Sequence, residues 1–196
     1  MSEANLIVLA GPNGAGKSTA APDLLRGAFH VEEFVNADVI ARGLSAFHPE
    51  AAAIDAGRVM LARLRELAAQ RKDFAFETTL SSRTFAPWIR ELKKTGYRFH
   101  LFYLWGPTPD WCIDRVYSRK SVGGHFVPEE TIRRRYAGGL RNFFTLYAPI
   151  ATSWQFLDNS VKPRRLVAES GPEGSPMPSV FNPDVWDTIS KEFGNG

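Results

Sequence analysis

Apolar positions along this chain come in short runs that alternate with stretches of helical spacing. Residues 5–10 (NLIVLA) form a continuous apolar run followed by a glycine loop, the pattern of a strand buried on both faces of a parallel sheet. Residues 17–26 read as the helix after that loop. Residues 33–36 read as a second short strand, running out at Asp38. Residues 49–70 are rich in Ala and Leu behind Pro49-Glu50, a helix start. A short strand over 74–76 ends at Glu77, and a helix over 82–94 is stopped by Gly96. Residues 98–105 are the clearest remaining strand. Thr108-Pro109-Asp110 combines a cap with a proline and opens a helix to about residue 121. A loop over 122–127 contains Gly123-Gly124-His125, and Pro128 begins a helix to about residue 147. Strands over 154–157 and 165–168, a Pro/Gly/Ser loop over 171–178 and a helix over 183–193 complete the chain. Strands alternating with helices imply an α/β fold, a layered sheet of parallel strands. No repeat divides the chain, and the 171–178 loop lies too near the end to separate two domains. Residues 1–196 therefore read as one domain.

Composition adds few constraints. Of 196 residues, 44% are hydrophobic and 23% charged, as in a globular protein able to bury a full core. Cys112 is the single cysteine, which excludes an intrachain disulfide and argues against a cysteine-rich metal site. No apolar run approaches the roughly 18 residues that span a bilayer. The start of the chain lacks the basic and long apolar segments of a signal peptide, so the expected location is cytoplasmic. The net charge is +3, but Arg115, Arg119, Lys120, Arg133, Arg134, Arg135 and Arg141 crowd one stretch against Glu129 and Glu130. Such a surface suits a polyanionic ligand, or is simply a solvated helical face.

The string Gly11-Pro12-Asn13-Gly14-Ala15-Gly16-Lys17-Ser18 matches G-x-x-x-x-G-K-[ST] without a mismatch, with a strand before it and a helix after it. Its glycines let backbone N–H groups turn inward around phosphate oxygens. The following helix aims the positive end of its dipole at the same anion. Lys17 supplies a cation to the β- and γ-phosphates, Ser18 a hydroxyl to Mg²⁺, and Thr19 a phosphate hydrogen bond. ATP and Mg²⁺ are the expected ligands.

An ABC transporter ATPase would need an LSGGQ-like signature and an apolar strand ending in Asp-Glu, and this chain has neither. The acidic strand ends available are Asp38 and Glu77. A small-molecule kinase remains, for which a carboxylate near the γ-phosphate and several arginines are wanted. Asn36-Ala37-Asp38, residues 76–81 (FETTLS), Gly123-Gly124-His125 with Val127-Pro128, residues 132–136 and Asp158-Asn159-Ser160, together with the phosphate loop, resemble the zeta-toxin family. The closest resemblance is to its small bacterial branch often labelled "predicted ABC-type ATPase", and it runs from about residue 5 to 168. The resemblance implies a three-layer parallel sheet of the P-loop nucleotide-kinase type with a helical lid over about 108–147. It further implies phosphorylation of the 3′-hydroxyl of the amino sugar in UDP-N-acetylglucosamine, and an antitoxin protein as a possible partner.

Within that resemblance Asp38 matches the catalytic base, and a carboxylate at a strand end beside the phosphate loop is where an acceptor hydroxyl would lie. The alternative is that Asp38 caps a helix beginning at Val39. Glu77 resembles the substrate-side acid, with Thr78 and Thr79 adding hydroxyls; alternatively it is a solvated strand end. On the Pro128 helix, Ile132, Tyr136, Leu140, Phe143 and Tyr147 form one apolar stripe. At about 100° per residue, Arg133 and Arg135 flank the stripe while Arg134 points to water. Arg135 is a catalytic candidate, as is Arg119 on the preceding helix, and Arg133 is a substrate-binding one. Arg115 and Arg119 share a face of the preceding helix, Arg115 for the nucleotide and Arg119 for the triphosphate. Ion pairing with Glu129 or Glu130 is the competing account of these arginines. His125, in its glycine loop, is a substrate-binding candidate or a structural histidine. Where the family commonly has an arginine, near position 138, this chain has Ala137-Gly138-Gly139. The two glycines weaken the helix by about 1 kcal/mol each and predict a bend or a mobile segment. The expected partner is a small-molecule acceptor, with no membrane and no nucleic acid. The readings held open beside it are an ATP-binding regulator without turnover, and a kinase acting on a dinucleotide or a polynucleotide end.

Overall fold

The computed structural model describes residues 4–28, 30–120, 127–171 and 177–194. Seven strands form one sheet in the order β2-β3-β1-β4-β5-β6-β7: β1 Ala4–Ala10, β2 Glu33–Val35, β3 Phe74–Thr78, β4 Tyr97–Trp105, β5 Ser153–Asp158, β6 Arg165–Glu169 and β7 Ser179–Val180. Strands β1 to β5 run parallel. The parallel sheet expected from the sequence is thus found, with an edge at which β6 and β7 return antiparallel. A short loop joins β5 to β6, too short for the crossover that a parallel neighbour requires.

Among the described residues, seven α-helices pack around the sheet: α1 Lys17–Ala28, α2 Ala37–Leu44, α3 Ala53–Ala69, α4 Phe85–Lys94, α5 Pro109–Lys120, α6 Glu129–Asn142 and α7 Pro183–Phe193. Alternation along the strands sends side chains to both faces. Ile7, Leu9 and Phe102 meet Ala21 and Leu25 of α1. On the other face Leu6, Val8, Phe76 and Tyr103 meet Leu64 of α3, Ile89 of α4, Leu140 of α6 and Trp186 of α7. The architecture is therefore three-layered, as expected.

The stripe read from the sequence, Ile132, Tyr136, Leu140, Phe143 and Tyr147, is buried throughout. Helix α6 runs unbroken through Gly138 and Gly139 and continues as a π-helical turn over Phe143–Tyr147. The glycine pair makes no break. A Cβ at position 139 would lie 2.5 Å from the Thr79 carbonyl oxygen, so this glycine lets α6 approach the loop after β3. Position 138 is roomier, its nearest atom being Ser81 Cβ at 3.6 Å. Tyr136 Oη donates to Gly106 O at 2.9 Å and accepts from Trp105 Nε1 at 3.0 Å, which fastens α6 to the end of β4. The apolar side of the helix expected to belong to a lid is part of the core.

Two predictions follow from packing. Gly139→Ala should lower stability by about 1–3 kcal/mol through overpacking, whereas Gly138→Ala should raise it by up to about 1 kcal/mol through helix propensity. Urea midpoints of the two variants should therefore differ in this direction, and would coincide if α6 stood off the loop.

The second concerns pH. His100 on β4 is buried, with Nδ1 2.7 Å from Ser153 Oγ and Nε2 3.2 Å from Asn5 Oδ1. Burial, helped by the charge of Arg98, holds its pKa down to about 4 from the usual 6.5. The folded chain thus keeps the ring neutral where the unfolded chain protonates it. Its contribution is full above pH 6.5 and is lost as pH falls through about 4. The loss should approach about 3 kcal/mol. Urea unfolding between pH 7 and 4 should show it, and His100→Gln should flatten that part of the profile.

Candidate active site

The phosphate loop joins the C-terminal end of β1 to α1. Gly14 adopts φ +88°, and a Cβ there would meet the Cys112 carbonyl oxygen at 2.3 Å. Only glycine fits that turn against α5. From α5, Arg115 Nε donates to Gly14 O at 2.9 Å, and its guanidinium lies 4.7 Å from the centre of the Trp111 ring. Asn159, just past β5, donates from Nδ2 to Ala15 O at 2.6 Å. The loop is therefore clamped from two sides. Cys112 beneath it is buried, which pushes its thiol up to about 12 and leaves it inert as a nucleophile.

Lys17 is 6% exposed. Its Nζ donates to Pro12 O at 3.0 Å and lies 3.6 Å from Glu77 Oε1. Ser18 Oγ donates to Glu77 Oε2 at 2.7 Å, and Asn36 Nδ2 donates to the same oxygen at 2.8 Å. Parallel pairing explains the meeting: β3 lies beside β1 with Glu77 opposite Leu9, so its carboxylate emerges where the loop turns into α1. Glu77 was expected on the acceptor side; the structure sets it against the phosphate lysine and serine. Thr19 is exposed on the first turn of α1.

Asn36 is a residue whose role sequence reasoning missed. Its Oδ1 accepts from Asp38 N at 2.8 Å and Val39 N at 3.3 Å, capping α2. The alternative reading of Asp38 as the cap is thereby corrected, since Asp38 is the second residue of α2. An Asn before a helical segment is a cap signal that was legible. The Asp38 carboxylate makes no hydrogen bond among the described residues. It lines a cleft of about 200 Å³ with Lys17, Glu77, Thr78, Thr79 and Arg135. Thr78 Oγ1 accepts from Leu80 N at 3.1 Å, and Thr79 Oγ1 lies 2.9 Å from Ser81 Oγ.

The arginines divide. Arg135 Nη1 donates to Asn13 Oδ1 at 3.2 Å across the cleft mouth. Burial holds its pKa below the ordinary value, and the charge of Asp38 opposes that. Arg119 Nε donates to Arg115 O at 3.3 Å. Desolvation and the nearby Arg115 lower its pKa, against the charges of Glu77 and Asp38. Both guanidiniums thus feel the cleft carboxylates. Arg133 does not join them, because on the outer side of α6 it pairs with Asp110 of α5. Arg134 is exposed, as expected. His125 lies outside the described residues.

Asn36→Ala removes the cap of α2 and should cost about 1–2 kcal/mol. Asn36→Asp keeps the cap but sets a second carboxylate against Glu77, so it should not restore wild-type stability. Urea midpoints of the pair check this; full recovery with Asp would mean that Glu77 does not depend on the amide.

Three comparisons place the chain among known proteins. A protein of Haemophilus influenzae (strain KW20/Rd) is 32% identical over 133 residues, covering 66% of this chain and 91% of its own length. The crystal structure of AvrRxo1-ORF1:-ORF2 with ATP superposes with a TM-score of 0.73 at 17% identity, covering 96% of this chain. This chain spans 64% of that one's length. The structure of the PezAT toxin–antitoxin system of Streptococcus pneumoniae superposes with a TM-score of 0.65 at 16% identity, covering 98% of this chain and 86% of that one. The two structures share the fold. Residues 6–138, more than half of the chain and including the whole phosphate loop, match the family model described as an AAA domain, and the chain belongs to that family.

Proposed function

We propose that this protein is an ATP- and Mg²⁺-dependent kinase that phosphorylates a hydroxyl of a small, nucleotide-linked acceptor. By resemblance to the zeta-toxin family, the acceptor to try first is UDP-N-acetylglucosamine at its 3′-hydroxyl. A toxin-like role held in check by an antitoxin protein completes the reading. It is consistent with likeness to a fold solved with ATP and to a toxin–antitoxin system.

The observation that carries the proposal is the unequal state of two carboxylates in one cleft. Glu77 is fully engaged by Lys17, Ser18 and Asn36. Asp38, on the same cleft, holds no hydrogen bond among the described residues. A carboxylate held against the phosphate lysine and serine is positioned for phosphate and metal, and one free of hydrogen bonds beside the phosphate site is available to an acceptor hydroxyl.

The division of labour follows. The loop amides and Lys17 bind and orient the triphosphate. Ser18 Oγ and Glu77 Oε2, oxygens 2.7 Å apart, suit a hard cation and would hold Mg²⁺, which supplies charge neutralisation on the phosphates when bound. Arg119 and Arg135 stabilise the charge that develops on the transferred phosphoryl group. Asp38 takes the proton of the acceptor hydroxyl on a carboxylate oxygen as the new O–P bond forms. Thr78 and Thr79 line the acceptor side of the cleft.

A scan of nucleotides and nucleotide-sugars for ATP-dependent gain of phosphate identifies the acceptor. Lys17→Ala should abolish useful binding of ATP with Mg²⁺ by calorimetry while the fold persists; unchanged affinity would remove the phosphate-loop assignment. Asp38→Asn should keep ATP affinity and lower kcat by about 10²–10⁴ in single-turnover kinetics. Raising Mg²⁺ should not restore that rate. Restoration would make Asp38 a metal ligand, and a near-wild-type rate would leave it without a catalytic part.

A further inference from the structure

A second concavity, of about 560 Å³, lies beside the cleft. Ser81 and Ser82 form one side, and Arg134, Arg135, Gly138 and Arg141 of α6 form the other. Arg135 lines both spaces and is the wall they share. Arg134, Gly138 and Arg141 stand at i, i+4 and i+7, one face of the helix. The glycine leaves the floor open between two guanidiniums.

The charge of this groove is uncompensated. Its lining includes three arginines and no acidic residue among the described ones. Arg133, the neighbour on the far side of α6, has its carboxylate partner in Asp110. The side chains of Arg134 and Arg141 have none among the described residues. A merely solvated face would give no reason for that division.

The opposite wall is built firmly. Asn142 Nδ2 donates to Leu80 O at 2.8 Å in a buried bond, and Tyr147 Oη donates to Ser82 O at 2.7 Å. Leu80 is held at φ +60°, a conformation that a leucine adopts only when its surroundings impose it. The loop carrying Ser81 and Ser82 is thus tied to the same helix that carries the arginines. The wall and the helix that carries the charges are fixed relative to each other before any ligand arrives.

We propose that this groove is an anion subsite that seats a phosphate group carried by the acceptor, with Arg134 and Arg141 as its cationic wall. The assignment to the acceptor rests on the kinase reading above and on the shared wall, since Arg135 lines both this groove and the cleft that holds Thr79 and Asp38. Guanidinium forks match phosphate oxygens in pairs, and Ser81 and Ser82 add hydroxyls opposite them. A phosphate held here anchors one end of a molecule whose hydroxyl reaches Asp38. Arg134 then governs acceptor affinity and has no part in ATP binding.

The test uses the full chain, mixed with excess Mg²⁺ and the non-hydrolysable analogue AMP-PNP so that the phosphate loop is filled. Inorganic phosphate is then titrated while the side-chain Nε–H signals of Arg134 and Arg141 are followed by NMR. Both signals should shift together and saturate. Arg134→Gln and Arg141→Gln should each weaken phosphate binding by about tenfold or more, Arg134→Lys should recover part of the loss, and AMP-PNP affinity should stay unchanged in all three. Signals that do not move, or an affinity indifferent to both Gln substitutions, overturn the subsite. A single-stranded oligonucleotide that binds far more tightly than phosphate, with a steep salt dependence, overturns the small-molecule assignment in favour of a strand-binding groove. Failure of the chain to take up AMP-PNP overturns the kinase reading instead, and the phosphate shifts on that same sample still decide the subsite.

Discussion

The site is organised around a buried ammonium group. Lys17 is almost fully enclosed, and a charge taken out of water is tolerated only with a partner. That partner is Glu77, delivered by the parallel pairing of β1 with β3. Glu77 in turn has two further donors, Ser18 and Asn36, so its lone pairs are spoken for. Asn36 spends its other end on the cap of α2, the helix that carries Asp38. Sheet register, phosphate loop and helix α2 are therefore one connected electrostatic structure. A shift of β3 by one residue would turn Glu77 to the opposite face and leave Lys17 buried alone.

This network also separates two acids that look alike along the chain. Both Asp38 and Glu77 stand at or just beyond a strand end and close behind a hydrophobic run. Their surroundings differ in one respect, the supply of donors. Glu77 lies in line with the loop and is consumed by it. Asp38 stands in the first turn of α2, where the charges of Arg119 on α5 and Arg135 on α6 reach it without a hydrogen bond among the described residues. The different surroundings of the two carboxylates thus come from strand order, in which β3 separates β1 from β2.

Local patterning made most of the fold legible. The runs at β1 and β4, the cap and proline before α5, and the stripe on α6 each declare themselves within about a dozen residues. The phosphate loop is equally local, since its glycines, lysine and serine are contiguous. What escaped notice depends on partners far apart in the chain. Nothing near Glu77 says that it will face Ser18, 59 residues away. Nothing near Asn159 says that it will hold Ala15 O. The antiparallel return of β6 is similarly hidden, because a short apolar strand looks the same in either direction. Gly138 and Gly139 misled for a related reason. Helix propensity is a property of the isolated segment, and here a tertiary contact with Thr79 explains Gly139. Arg133 shows the limit of helical geometry, which sets it beside the stripe as surely as Arg135 but cannot supply the Asp110 that claims it.

Helix α6 is where these levels converge. Its apolar stripe is core, and Tyr136 ties it to β4. Arg135 reaches back to Asn13 of the phosphate loop, while Arg134 and Arg141 face the neighbouring groove. Asn142 and Tyr147 strap down the loop that follows the catalytic edge of β3. A helix so deeply packed cannot deliver its arginines by swinging over the nucleotide, because that would expose Ile132 and Leu140, each 0% exposed. Uncovering two such side chains costs about 1.5–3 kcal/mol apiece before any polar contact is broken. Arg135, partly buried and bonded to Asn13, is consequently part of a site assembled on folding. Preorganisation of this kind favours transition-state stabilisation, since donors already in place need not be reoriented when charge develops.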